Sequence, residues 1–130
     1  MPWTYSQSTG CLLTPEGIFK AYGFSGNHNG INNADAQALH NTGPLPQGSY
    51  TMSSYIDKHP TLGLCVIGLT PDPANTMFGR SGFFIHGSRT LLTSGLNAFL
   101  ESSDGCIVIG DCALRKSLWA SADHVLQITS

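Results

Sequence analysis

The stretch Phe83-Phe84-Ile85-His86-Gly87-Ser88, answered further on by Ser102-Ser103-Asp104-Gly105-Cys106-Ile107-Val108-Ile109, decides how the chain is read. Each half holds a short apolar run rich in Phe, Ile or Val, the pattern of a buried strand. One run ends in a histidine. The other starts at a cysteine that follows a glycine. Laid side by side, the two strands bring His86 and Cys106 together at one edge of a sheet. A thiol is a good nucleophile at neutral pH when a base or a cationic imidazole stands beside it. Gly105 permits a sharp turn and close approach of a substrate. The competing reading of Cys106 is a small buried hydrophobe, where most reduced cysteines sit.

Working outward toward the N-terminus, Thr76-Met77-Phe78-Gly79-Arg80-Ser81-Gly82 leads into the histidine strand. Arg80 is one of only six basic residues, so its place just before a buried strand calls for a reason. Two fit: a surface salt bridge worth about 0–1 kcal/mol, or a clamp on a substrate carboxylate. Leu62 to Leu69 reads as a buried strand ended by Pro71-Asp72-Pro73. Gly43-Pro44-Leu45-Pro46-Gln47-Gly48 excludes helix and central strand, because its prolines lack the N–H that either needs. It is a stiff lead-in to a strand at Ser49-Tyr50-Thr51-Met52, whose Tyr50 is either core or groove lining.

Earlier still, Trp3-Thr4-Tyr5, Cys11-Leu12-Leu13 and Ile18-Phe19-Lys20-Ala21-Tyr22 are punctuated by turn residues and predict a three-stranded meander. Gly23 to Asn32 carries too many glycines and asparagines for a strand and reads as a binding-type loop. Asn33 has the side chain to cap a short helix over residues 34–39. On the other side, Leu91, Leu92, Leu96, Phe99 and Leu100 predict a short helix or irregular cap between the two site strands. Asp111 can cap a helix over Cys112 to Trp119, and His124 to Thr129 alternates like a closing strand. The fold class is mainly β with a few short helices, in a single domain over residues 1–130.

With 11% charged residues, frequent Gly and Pro and a net charge of −2, the composition fits a compact β-rich protein. It gives no electrostatic basis for binding nucleic acid or an anionic membrane. No apolar run approaches a membrane span. No basic n-region followed by an apolar h-region opens the chain, so a cleaved secretory signal is not expected. The cysteines are Cys11, Cys65, Cys106 and Cys112. Their spacing matches no zinc pattern, so neither metal nor cofactor is expected. Two disulfides would silence Cys106, which is therefore expected to stay a thiol.

These motifs carry a resemblance. Sixteen residues, 87–102, separate His86 from Ser103-Asp104-Gly105-Cys106. That spacing resembles the L,D-transpeptidase signature, a histidine followed after a mid-length connection by Ser/Thr-His-Gly-Cys. Asp104 departs from it, standing where the family has His, and Ile107 stands where Arg or Asn often follows the cysteine. Tyr5-Ser6-Gln7-Ser8-Thr9-Gly10, Gly23-Phe24-Ser25-Gly26, Asn32-Asn33 and Gly43-Pro44-Leu45-Pro46-Gln47-Gly48-Ser49-Tyr50 are similar to the small L,D-transpeptidase-like effectors of type VI secretion. The resemblance covers most of the chain.

The resemblance implies a β-sandwich or barrel with the active site at one sheet edge. It implies a cysteine acyl transfer on peptidoglycan stem peptides, with Cys106 as nucleophile, His86 as base, and Ser103 and Gly105 in the catalytic turn. Thioester hydrolysis would make the protein an L,D-carboxypeptidase. Aminolysis by a D-amino acid would make it an L,D-transpeptidase. Arg80, Ser88, Asp104, Tyr22 and Asn33 are the candidate substrate contacts. Ser88 or Ser103 could also orient the imidazole, and Asp104 could be an orienter, a contact or a turn residue. The implied partners are the secretion machinery and a cognate immunity protein. The implied place of action is the periplasm of a target bacterium, reached without a signal peptide. Two other readings use the same residues: a cysteine amidase cutting elsewhere in the stem, and a non-catalytic binding module.

Overall fold

The computed structural model describes residues 2–26, 28–40, 42–87 and 105–130. The expected helix or cap between the site strands lies outside the described residues, as do Ser88, Ser103 and Asp104. The described elements are β1 (Trp3–Ser6), β2 (Cys11–Leu13), β3 (Phe19–Ser25), β4 (Gly48–His59), β5 (Gly63–Pro71), β6 (Phe83–His86), β7 (Ile107–Ile109), the helix α1 (Cys112–Ala120) and β8 (Val125–Thr129). The strands close into a barrel in the order β1-β2-β3-β7-β6-β5-β4-β8. Most pairs are antiparallel neighbours. The exceptions are β6 with β7, and β1 with β8, which run parallel.

Alternation explains the barrel's filling. Trp3, Tyr5, Leu12, Tyr50, Met52, Ile67, Leu69, Phe83, Ile85, Ile107, Ile109, Leu126 and Ile128 point inward and form one cluster with Leu45 and Leu118. Strands whose every second residue is Leu, Ile, Phe or Tyr can meet only with those faces together. The interior is therefore packed side chains. No helix among the described residues is long and apolar enough to cross a membrane.

The meander at the N-terminus, the buried strand after Leu62 and the closing strand form where the sequence placed them, while the strand expected over Ser49–Met52 runs on to His59. Asp111 caps α1, accepting from the Leu114 N–H at 2.9 Å. Asn33 caps a single 3-10 turn over Ala34–Ala36, shorter than the helix expected to residue 39.

One expectation is corrected. Gly23, Phe24 and Ser25 are strand, because β7 supplies a partner at Ile109, Val108 and Ile107 that outweighs their loop-like composition. Of the two readings of Tyr50, core and groove lining, the structure takes the core: the ring is buried, and its hydroxyl donates to the Pro46 carbonyl at 2.7 Å.

α1 is tied to the barrel covalently. Cys65 in β5 and Cys112 at the start of α1 form a disulfide. Cys11 and Cys106 remain thiols.

Candidate active site

β6 and β7 lie side by side and parallel, with Ile85 opposite Ile107 and His86 opposite Val108. Ile85 and Ile107 face the core, so their neighbours His86 and Val108 face outward. Cys106 precedes β7 by one residue and shares parity with Val108. His86 and Cys106 are thus carried by adjacent parallel strands, His86 at the end of β6 and Cys106 just before β7. Both are buried, at 0% and 8% exposed, so a charge formed here would be shielded little by water.

The imidazole is held by its own strand end. Nδ1 of His86 lies 2.9 Å from the Gly87 carbonyl oxygen. A carbonyl only accepts, so Nδ1 carries the proton in the neutral ring. Proton exchange with a neighbouring thiol then falls to Nε2. The sequence named Ser88 or Ser103 as orienters. The structure gives the Gly87 carbonyl this contact, which was open to the sequence only as a generic backbone partner.

The cysteine turn is fixed from the opposite side. Gly105 has φ +118, a region that L side chains rarely adopt. A Cβ there would also run into the Arg80 guanidinium. The Gly105 carbonyl accepts from the buried Ser25 hydroxyl at 3.1 Å, and that hydroxyl accepts from the Leu45 N–H at 2.8 Å. The Cys106 sulfur is 3.9 Å from the Gly82 carbonyl, at the start of β6.

Arg80 is placed differently from either expectation. It is buried, so it is no surface salt bridge. Its Nη1 donates to the Gln37 and Pro44 carbonyls at 2.6 and 2.7 Å, and its Nη2 donates to Gly43 O at 2.9 Å. Its guanidinium also lies over the Phe83 ring, 5.4 Å from the centroid. A planar fork committed to three backbone carbonyls is a brace for the 37–44 segment rather than a carboxylate clamp.

Tyr22 is exposed on β3 and lies four residues along from the level of Cys106, roughly 13 Å at strand rise. Asn33 uses its side chain on its own turn: Oδ1 accepts from the Asp35 N–H and Nδ2 donates to Asn29 O at 3.0 Å. The structure therefore sets Gly105 and Cys106 on the strand next to the one that ends at His86, puts Arg80 against Gly105, and leaves Tyr22 and Asn33 at a distance or capping. Sequence reasoning missed Ser25, whose only signal was a small polar residue in a glycine-rich stretch. It also missed Arg115, which lay unremarked in the helix expected over Cys112 to Trp119.

Arg115 is buried where β6 and β7 end, beside Gly87. Its Nε donates to Cys65 O at 2.9 Å, and Nη1 donates to Ile109 O and Gly110 O at 3.0 and 2.7 Å. Nη2 approaches Leu64 O at 3.3 Å. Burial lowers its pKa from the ordinary arginine value, while Asp111 and Tyr55 nearby act in the opposite direction.

The arrangement of thiol, imidazole and glycine turn suits nucleophilic acyl transfer. The family model described as the Tlde1 domain matches residues 19–126, a span that contains every residue of this site. No curated protein matches the chain.

Proposed function

We propose, from the premise that this chain belongs to the Tlde1 domain family of type VI secretion effectors, that Cys106 and His86 carry out acyl transfer on peptidoglycan stem peptides. His86 Nε2 takes the thiol proton as sulfur attacks the carbonyl on the L-centre of the diacid residue in a stem tetrapeptide. The C–N bond to the terminal D-Ala breaks, the imidazolium returns its proton to the leaving amine, and a thioester remains on Cys106. Water resolves the thioester to a tripeptide, with His86 taking the water proton. A D-amino acid resolves it to an exchanged tetrapeptide. The N–H groups at Gly105 and Cys106 are the donors for the oxyanion.

The single observation that carries this reading is the parallel pairing of β6 with β7, which sets His86 and Cys106 on adjacent strands, with Nδ1 at the Gly87 carbonyl. That commitment leaves Nε2 to act as base. Delivery to the periplasm of a target cell, and neutralisation there by an immunity protein over the site, belong to the same proposal.

Mass spectrometry of purified muropeptides tests it. Tetrapeptides are expected to lose one D-Ala, and tripeptides to stay intact. Excess of a different D-amino acid is expected to give the exchanged tetrapeptide. Pentapeptides, which end in a D,D bond, are expected to be poor substrates. Cleavage between D-Glu and the diacid, or between sugar and peptide, would replace the L,D reading with the amidase one.

A further inference from the structure

We infer that Arg115 is a positioning residue for the proposed base His86, acting through Gly87; the inference rests on the acyl-transfer reading above. β6 is four residues long and ends at His86. Its neighbours in the barrel are β5 on one side and β7 on the other. Arg115 bridges those two neighbours: its donors reach Leu64 O and Cys65 O on the β5 side, and Ile109 O and Gly110 O on the β7 side. The guanidinium plane therefore crosses beneath the end of β6, where Gly87 lies.

The contact is close. A Cβ on Gly87 would meet Arg115 Nη2, Nη1 and Cζ at 2.8, 2.9 and 3.0 Å. The Gly87 backbone thus rests against the guanidinium with no room for a side chain. The carbonyl of that same residue is the acceptor for His86 Nδ1 at 2.9 Å. Ring orientation and tautomer follow from where that carbonyl points. Arg115 fixes the peptide, the peptide fixes the ring, and the ring presents Nε2.

The guanidinium is itself anchored. It projects from α1, whose first residue is bonded by disulfide to Cys65, the residue that also accepts from Nε. The charged and titratable groups that act on Arg115 are Asp111, which caps α1, and Tyr55 of β4. Lysine could not replace it, because a single ammonium cannot span two strands with a planar fork.

The test uses Arg115→Lys and Gly87→Ala, each with and without His86→Ala, in a Cys11→Ser background so that Cys106 is the reporting thiol. The readouts are the pH profile of iodoacetamide alkylation at Cys106, and kcat and KM on stem tetrapeptide for protein shown to be folded by circular dichroism. In the parent protein the profile is expected to differ from that of His86→Ala. Arg115→Lys is expected to move it to the His86→Ala profile and to lower kcat at least tenfold, with KM changed less than about twofold. In the His86→Ala background it is expected to add nothing, because the two side chains act in series. Gly87→Ala keeps every Arg115 donor and is expected to shift the profile in the same way, so the test survives if Arg115→Lys does not fold. A folded Arg115→Lys or Gly87→Ala protein with the parent's profile and kcat overturns the inference, as does a full additional loss in the His86→Ala background. If the parent and His86→Ala proteins share one profile and one turnover, the acyl-transfer reading fails, and the inference fails with it.

Discussion

The proposed chemistry rests on Cys106 and His86, two side chains outside the core cluster. Cys106→Ala is expected to abolish D-Ala release, and His86→Ala to reduce it at least about 100-fold. Both are expected to keep a cooperative thermal transition; turnover by folded Cys106→Ala equal to the parent's would refute the nucleophile. Arg80 gives the contrasting case. Removing its guanidinium leaves the carbonyls of Gln37, Gly43 and Pro44 without this donor. Each lost partner costs roughly 1–3 kcal/mol when buried. Arg80→Ala is therefore expected to destabilise the fold by about 3 kcal/mol or more, read as a lower urea midpoint. Activity per folded molecule would fall only as far as Gly105 shifts. The proposed reacting residues could be named from the sequence because a histidine and a glycine-cysteine pair at strand ends stand out locally. The parts played by Ser25 and Arg80 could not, since their partners at Leu45, Gly105 and Gln37, Gly43 and Pro44 are distant in sequence and are met only after folding.

Elements were legible where alternation or capping is self-contained. β1, β2, β5 and α1 follow from their own residues. β3 ran on past its predicted end because the partner that makes Gly23 to Ser25 a strand is β7, some eighty residues away in the chain. β4 ran on past Met52 for a similar reason: through Tyr55, Ile56 and His59 it pairs with β5. The disulfide joins elements 47 residues apart in sequence. Closing a loop of that size stabilises by about 4 kcal/mol in the chain-entropy model. Reduction with a phosphine is expected to lower the Tm by about 10–15 °C for a domain of this size. A shift of under 2 °C would show that the bridge contributes nothing to stability. Pairing by Cys65 and Cys112 was not readable, because four cysteines allow several connectivities and only the docking of α1 on β5 selects this one.

The barrel as a whole answers to pH and compartment. Tyr5 and Tyr50 are both held above the ordinary tyrosine pKa, in each case mainly by burial. An unfolded tyrosine releases its proton near pH 10. Above that pH the unfolded chain binds fewer protons than the folded one, so stability falls as pH rises. Tm is expected to be flat from pH 7 to 9 and to drop beyond about pH 10. Tyr50→Phe is expected to flatten that drop, and an unchanged slope in it would remove Tyr50 from the explanation. Directed to the periplasm, the protein is expected to arrest growth, and retained in the cytoplasm to be tolerated; equal toxicity in both would point to a cytoplasmic target. Closure has a consequence in time as well as in space. β1 is hydrogen-bonded along its length to β8, Trp3 to Leu126 and Ser6 to Thr129. While the chain is being made, β1 can pair with β2, but its other edge stays bare until residues 125–129 emerge. Pairings this remote form slowly. A ribosome stalled before residue 125 therefore holds an open sheet with two bare edges, and the finished shape arrives in one late step.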